Sequence, residues 1–496
     1  MKLVEASWVV GFALLALSIA SCGQSRPGGF NGIDGGGGGD TSPMTDDATP
    51  GPTFADGSVE AAPTCSGLQC QAVDCAAMGK PETSLTGTIR DPAGALPLYN
   101  IYVYVPNTKP DPIAPGNPTC TPCQANASGS PILGTLTDAD GKFTLQKSGT
   151  DAFGIPVGTN IPLVVQAGKW RRQLVIPEVT ACSAVDLDTV LGPDKLRLPK
   201  KSSEGDMPLI ALTSAGYDAF ECFLRVIGID DSEFVPPTSN AGHVHFYTGA
   251  DGDPSTPAST ITGGNTATDT FQWWTSSANL LKYDMILNGC DAVNTTRPPA
   301  AYAAMGAFLN GGGRVFATDS FEDWFSPTGI PPFQSVASWQ PWLSGNTYMS
   351  YFADTSFPKG KAFGKWLLSN GVAQMSGTGV ELALTDTYAD VNESGPTMFP
   401  GSTRWIYNAD TPGSSVYGTS YLSFNTPVGT PVAKQCGRAV FSGVHVYLPA
   451  GSLVFPSECV ADPAYAINQK ALEFLFFDLS SCVQDDQQAP PVPMTN

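Results

Sequence analysis

Histidine is nearly missing from this chain: three occur in 496 residues, His243, His245 and His445. Any chemistry that needs an imidazole must use one of these positions. Basic residues are also scarce, with 25 Lys and Arg against 45 Asp and Glu, a net charge of −20. That balance excludes the basic stripe that nucleic-acid binding requires. Charged residues reach only 14%, against about 25% in ordinary soluble domains. Glycine and proline are instead abundant, at 53 and 43. The composition fits a loop-rich extracellular protein better than a helical cytosolic one. Beyond residue 19 no stretch is apolar and long enough to cross a bilayer, which takes about 20 residues. No Gly-x-Ser-x-Gly elbow is present, and no cofactor is expected.

What is present begins with Met1-Lys2-Leu3-Val4 and an apolar run from Trp8 to Ile19. A short charged start and a short apolar run predict a signal peptide over residues 1–21. The run ends in Ile19-Ala20-Ser21-Cys22, which resembles a bacterial lipobox. That resemblance implies lipidation of Cys22, a membrane partner reached through the lipid, and a workplace in the cell envelope. Gly23 rather than Asp after the cysteine points to the outer membrane. Acyl chains would hold the protein, each buried methylene adding about 0.8 kcal/mol. Residues 22–62 are rich in Gly, Pro, Asp and Ser, with Gly35 to Gly39 in a row. They bury too little apolar surface to order themselves and are expected to form a flexible linker.

Twelve cysteines are present. Outside the cytoplasm most should pair, and lipidation of Cys22 leaves an odd number, so one thiol stays free. Cys222, inside the apolar helical pattern Ala219–Leu224, is the expected free thiol. Cys65, Cys70 and Cys75 form a Cys-rich segment over residues 63–80, and their spacing favours disulfides over zinc. Cys120 and Cys123 lie among prolines and are expected to clip a loop, with Cys182 or the first cluster as candidate partners.

Residues 81–198 read as short strands separated by Gly, Pro and Asp turns: Ser84–Arg90, Asn100–Val105, Lys142–Gln146, Pro162–Gln166 and Arg171–Ile176. They predict a small β-sandwich. The string Gly87-Thr-Ile-Arg-Asp-Pro-Ala-Gly94, Pro97-Leu98, Val103-Tyr104-Val105 and Thr137-Asp138-Ala139-Asp140-Gly141-Lys142-Phe143 resembles the carboxypeptidase regulatory-like domain, a transthyretin-like sandwich. The resemblance implies an accessory, non-catalytic role. Asp138 and Asp140 read as turn residues rather than calcium ligands.

From residue 199 to 482 the pattern becomes α/β. Pro208–Thr213, His243–Tyr247, Tyr283–Asn288, Arg314–Thr318 and Arg438–His445 read as strands, and Tyr217–Ile227, Ala300–Leu309 and Ala466–Phe477 as helices. Alternation of this kind predicts a parallel sheet with helices on both faces. Tyr283–Leu287, Phe308–Ala317 and Gly437–His445 resemble the class I glutamine amidotransferase-like, flavodoxin-like fold, and ThuA-like proteins within it. With the lipobox and the sandwich, the chain also resembles a group of bacterial lipoproteins. An aromatic-rich insertion, about 326–434, holds Trp339, Trp342, Tyr348, Tyr351, Phe352, Trp366, Trp405, Tyr407, Tyr417 and Tyr421. It should cover the carboxyl ends of the strands, where such sheets place ligands. Residues 483–496 are expected to be a disordered tail.

The amidotransferase resemblance implies a cysteine in the turn after the fourth strand and a histidine after the late strand. That turn here reads Thr318-Asp319-Ser320-Phe321, without cysteine. His445 matches the histidine, while Tyr447 replaces its acidic partner. Ser320 and His445 with an acid, Asp319 or Glu322, form a candidate hydrolytic set. His243, His245 and His445 form a candidate metal site. Cys290, at the end of the third strand, reads as a disulfide or core cysteine. The expected function is that of a lipid-anchored binding or envelope protein, its partner a glycan or an envelope protein met by the aromatic insertion. Enzymatic activity is left open, with a hydrolase using Ser320 and His445 or a histidine-bound metal as the alternative.

Overall fold

The computed structural model describes residues 65–120, 127–149, 151–249, 258–266, 270–291, 297–327, 329–340, 350–388, 391–409, 416–446 and 453–493. The expected signal peptide, Cys22, the linker, Cys123, Trp342, Tyr348 and Tyr447 lie outside them, as does the side chain of Tyr417. No helix among the described residues is long and apolar enough to cross a membrane.

Residues 63–496 form one compact unit. Its first part holds β1 (Ser84–Thr88), β2 (Tyr102–Pro106), β3 (Pro131–Leu136), β4 (Lys142–Gln146), β5 (Gly158–Ala167), β6 (Trp170–Val179), β7 (Ala184–Asp186) and the short α1 (Leu187–Val190). They make a three-stranded sheet, β4-β1-β7, and a four-stranded one, β3-β2-β5-β6. Period-2 alternation marks the three-stranded sheet: Leu85 in β1 and Phe143 and Leu145 in β4 are buried, whereas Lys142, Thr144 and Gln146 are exposed. In the Thr137–Phe143 turn, Asp138 Oδ1 accepts the amides of Asp140 and Lys142 at 2.8 and 3.0 Å, so this carboxylate builds the turn, as expected.

The α/β part begins with β8 (Ile210–Ser214), α2 (Phe220–Val226), β9 (Phe234–Val235), β10 (Val244–Thr248), α3 (Thr270–Trp274), α4 (Ser277–Leu280), β11 (Met285–Asn288), α5 (Pro299–Asn310) and β12 (Arg314–Thr318). Then come β13 (Ala337–Trp339), β14 (Tyr351–Ala353), α6 (Pro358–Ser369), β15 (Ala373–Ser376), β16 (Gly379–Leu382), β17 (Val391–Ser394), β18 (Ser402–Ala409), β19 (Val416–Thr426), β20 (Gly437–Ser442) and α7 (Ala466–Ser480). Eleven strands share one sheet in the order β15-β16-β14-β18-β19-β20-β12-β11-β8-β10-β9. From β20 to β9 neighbours are parallel, and from β15 to β20 they are antiparallel. The insertion was expected to roof the strand ends. Most of it instead lengthens the sheet: β14, β16, β18 and β19 satisfy their backbone groups by pairing edge to edge. Most of its described aromatics are core residues. Trp366, Trp405 and Tyr421 are fully buried, and Tyr351, Phe352 and Tyr407 nearly so. Of the named aromatics that are described, Trp339 alone is only partly buried, so they form no row of exposed rings on which a sugar could stack.

Alternate residues of the parallel strands serve two cores. Ile286, Val315, Ala317, Ala439 and Phe441 pack with α5 residues Met305 and Phe308. Met285, Leu287, Phe316 and Val440 face the other way, into a core that also contains Leu85, Val103, Leu163 and Trp170 of the small sheets. The two blocks thus share one interior. Tyr99 stacks on Phe474 of α7 at 5.5 Å, and Trp366 Nε1 donates to the carbonyl of Pro97 at 2.7 Å.

Disulfides join Cys65–Cys70, Cys75–Cys182, Cys120–Cys436 and Cys222–Cys459, and Cys482 is also bonded. Cys222 is therefore not the free thiol; among the described residues that is Cys290. The helical pattern around Cys222 did imply burial, but its partner lies 237 residues away. The expected disordered tail is another correction. Val483, Gln484 and Asp486 are buried, because Asp486 is drawn into ion pairs with Lys359 and Arg438.

The Cys222–Cys459 bond also brings in Glu458, beside Glu221 of α2. Both carboxyls are fully buried, and Glu221 Oε1 accepts from Ser214 Oγ at 2.9 Å. Burial pushes both carboxyls up to about 7. A folded value above the unfolded one means that the contribution to stability is complete below pH 4.5 and is lost as pH rises through 7. Glu221→Gln is expected to stabilise the protein at pH 8 by roughly 3 kcal/mol, with little change at pH 4.5, as measured by urea unfolding at both values.

Candidate functional site

Three adjacent parallel strands, β11, β12 and β20, end side by side and aim their following residues at one point. After β11 come Gly289, Cys290 and Asp291. A Cβ at Gly289 would lie 2.2 Å from the carbonyl of Asp218, so only glycine allows that approach. The Cys290 amide donates to Thr318 Oγ1 at 2.9 Å, which ties the end of β11 to that of β12. After β12 the chain turns sharply at Asp319, whose φ of +39° is left-handed. A non-glycine residue held there stores strain, a condition that clusters at functional sites. After β20 comes His445, 3% exposed.

Cys290 Sγ donates to Asp319 Oδ2 at 3.0 Å. His445 Nε2 lies 3.5 Å from the same oxygen. On the other side of the ring, His445 Nδ1 meets Asp386 Oδ2 at 3.1 Å, and the His445 amide donates to the Asp386 carbonyl at 3.1 Å. Asp386 is the second left-handed aspartate of the site, with φ +49°, and it accepts from the Tyr465 hydroxyl at 2.9 Å. Asn468 donates to the His445 carbonyl at 2.7 Å. The Tyr388 ring packs on the imidazole at 4.8 Å. The ring is held from every side except that of Nε2, which has no hydrogen-bond partner.

Burial alone would lower the His445 pKa; Asp319 and Asp386 on either side of the ring, together with Cys290, override it and hold the imidazole well above its ordinary range. Burial likewise opposes ionisation of Asp386, but His445 keeps its carboxyl below the usual value. Burial pushes the Cys290 thiol up to about 11, against a lowering by His445.

Of the expected hydrolytic set, Asp319 and His445 meet. Ser320 does not join them: its hydroxyl donates to Asp291 Oδ1 at 2.9 Å and approaches Cys290 Sγ at 3.6 Å. The strained turn presents the aspartate to the histidine and swings the serine aside. The three-histidine metal site is not formed. His243 pairs with Glu233 at 2.9 Å, and His245 with the Tyr283 hydroxyl at 2.9 Å. Between β10, which carries His245, and β20 lie β8, β11 and β12, a separation of about 19 Å at ~4.8 Å per strand. Two members of the observed site were not anticipated. Asp386 belongs to the insertion and reaches His445 through the Thr387–Val444 bridge, for which the sequence carries no local signal. Cys290 has the imidazole neighbour that its own stretch of chain lacks. The turn after β12 has no cysteine, and the thiol near the imidazole comes from the end of the adjacent strand β11.

A cavity of about 730 Å³ lies at the opposite ends of these strands, beside Lys169, Trp170, Arg171, Asp284 and Arg314. Four of its charged side chains are already engaged: Lys169 with Asp284 at 2.5 Å, Arg171 with Asp206 at 2.8 Å, and Arg314 with carbonyls at 2.8–3.1 Å.

No family model matches the chain, and no curated protein matches it. Among solved structures it is similar to a putative ThuA-like protein from Bacteroides uniformis, at 12% identity and a TM-score of 0.27, over 54% of this chain and 88% of that one. Agreement at that level carries no weight for fold or chemistry, which rest on the geometry above.

Proposed function

We propose that the chain is a lipid-anchored protein of the cell envelope whose α/β block holds a hydrolytic centre made by Asp319, His445, Asp386 and Cys290. One observation carries the centre: Cys290 Sγ, Asp319 Oδ2 and His445 Nε2 lie within 4.8 Å of one another at the carboxyl ends of adjacent parallel strands, where α/β sheets place their ligands. Asp386 fixes the ring so that Nε2 faces Asp319. A water held beside these two groups is the nucleophile, and no covalent intermediate is invoked. The disulfides support an oxidising compartment, in keeping with lipidation at Cys22 and an outer-membrane address. On this reading the small sheets are the transthyretin-like accessory module and the large sheet is ThuA-like. The burial of the described aromatics moves the emphasis away from glycan capture by the insertion. A non-catalytic binding role keeps one support, the 730 Å³ cavity.

Two measurements test this. Radiolabelled palmitate should enter the wild-type chain and not Cys22→Ala; label in neither sinks the anchor. The full-length protein should hydrolyse at least one member of a panel of chromogenic carboxylic, phosphoric and glycosidic substrates. His445→Ala should cut that rate at least 100-fold. No turnover across the panel, or a rate indifferent to His445, sinks the hydrolytic centre.

A further inference from the structure

We infer that Cys290 Sγ, Asp319 Oδ2 and His445 Nε2 are the three protein ligands of a zinc-class divalent cation, with a fourth position left open. The inference rests on the reading of this cluster as the functional centre and supplies its cofactor. Three features of the geometry lead to it.

The first is convergence. A tetrahedral ion about 2.0 Å from nitrogen and oxygen and 2.3 Å from sulfur sets its ligand atoms about 3.3–3.5 Å apart. The observed separations are 3.0 Å for sulfur to oxygen and 3.5 Å for nitrogen to oxygen, with all three atoms within 4.8 Å. The sulfur–oxygen gap would open by about 0.5 Å and the nitrogen–oxygen gap close by about 0.2 Å. The second is an orphaned atom. His445 Nε2 is buried, makes no hydrogen bond, and has Asp319 Oδ2 as an ion-pair neighbour at 3.5 Å, so that it is aimed at the other two donors. A buried ring nitrogen left unpaired costs free energy, and a metal ion would end that condition. The third is the surrounding support. A ligating histidine ordinarily gives its other nitrogen to a carboxylate, which orients the ring and strengthens it as a donor. Asp386 occupies that place at 3.1 Å and is itself held by Tyr465.

The donor set selects the kind of ion. Calcium and magnesium need six or more oxygens, whereas a thiolate, an imidazole and one carboxylate suit zinc and its neighbours. The charges balance: thiolate and carboxylate offset the dication, and the imidazole binds neutral. Binding releases the thiol proton and any proton on Nε2 to solvent. Three protein ligands with an open fourth position are the arrangement of catalytic rather than structural zinc, and they leave room for a bound water. Asp319, with 20% of its side chain exposed, marks the side from which that water is reached.

The full-length chain, stripped with a chelator and dialysed against Zn²⁺, should retain one ion per molecule. Loaded with Co²⁺ instead, it should show tetrahedral ligand-field bands and a thiolate-to-cobalt charge-transfer band. Cys290→Ser should abolish the charge-transfer band and weaken binding at least 100-fold. Asp386→Asn should weaken binding 10- to 100-fold. A readout that needs no variant is alkylation of Cys290, scored by peptide mapping, which Zn²⁺ should slow at least tenfold. Failure to retain one ion, a Co²⁺ spectrum unchanged in Cys290→Ser, or alkylation indifferent to Zn²⁺ overturns the inference. The two readings fail separately. An ion bound on these ligands without turnover removes the hydrolytic reading and keeps the metal site; turnover that persists in the metal-free chain does the reverse.

Discussion

Replacing Arg438 with methionine is expected to lower the unfolding free energy by about 3–5 kcal/mol, as measured by chemical denaturation. Arg438 sits on β20, almost wholly buried. Its Nη2 donates to Asp478 at 2.9 Å, Asp486 at 2.7 Å and Ser423 at 3.0 Å, and its Nη1 to Asn425 at 3.0 Å. Lys359 of α6 reaches the same two carboxylates at 2.6 and 2.9 Å. Two cations and two anions are thus enclosed together, and loss of one cation leaves two carboxylates facing one ammonium out of water. Burial tends to raise the Asp486 pKa, but Arg438 and Lys359 hold it far below the usual carboxylate range. Its contribution is therefore complete above the unfolded value near 3.8 and disappears as pH falls through the depressed folded value. In Arg438→Met the acid-dependent loss should shrink. Substituting Lys359, Arg438, Asp478 and Asp486 together with apolar residues should restore most of the stability. A single variant as stable as the wild type would show that the cluster is not desolvated.

The double variant Cys75→Ser/Cys182→Ser is expected to lose about 4–5 kcal/mol, read from the shift of the denaturation midpoint. The bond closes 107 residues, and the chain entropy it removes from the unfolded state grows with the logarithm of that length. Cys75 is also fully buried, so serine leaves a polar group in its place. The Cys65–Cys70 bond closes only five residues among exposed neighbours and should cost less than half as much when removed. Equal losses from the two variants would contradict the loop-length account.

The parallel half of the large sheet was readable because its strands are short apolar runs bounded by glycine and polar turns. Arg314–Thr318 is found where the sequence places it, and Pro208–Thr213, His243–Tyr247 and Tyr283–Asn288 shift by one or two residues. The antiparallel half was not readable. Strands of three or four residues such as Tyr351–Ala353 and Gly379–Leu382 are too short for period 2 to stand out. Their aromatic content, read as a binding surface, fits core packing equally well. The site shows the same division. Asp319 and His445 follow recognisable strands, so their meeting was foreseeable. Cys290 and Asp386 join through neighbours in space, since β11 pairs with β12 and a loop 59 residues upstream returns to Val444. Which of two consecutive residues, Asp319 or Ser320, faces the imidazole depends on one left-handed backbone angle that no local pattern specifies.

Because Trp170 of β6 lies against Phe476 and Phe477 of α7, neither block is a transplantable part. A polypeptide severed near Leu198 would present a raw apolar wall on each half. Insoluble pieces, rather than two working modules, are what such a division should yield.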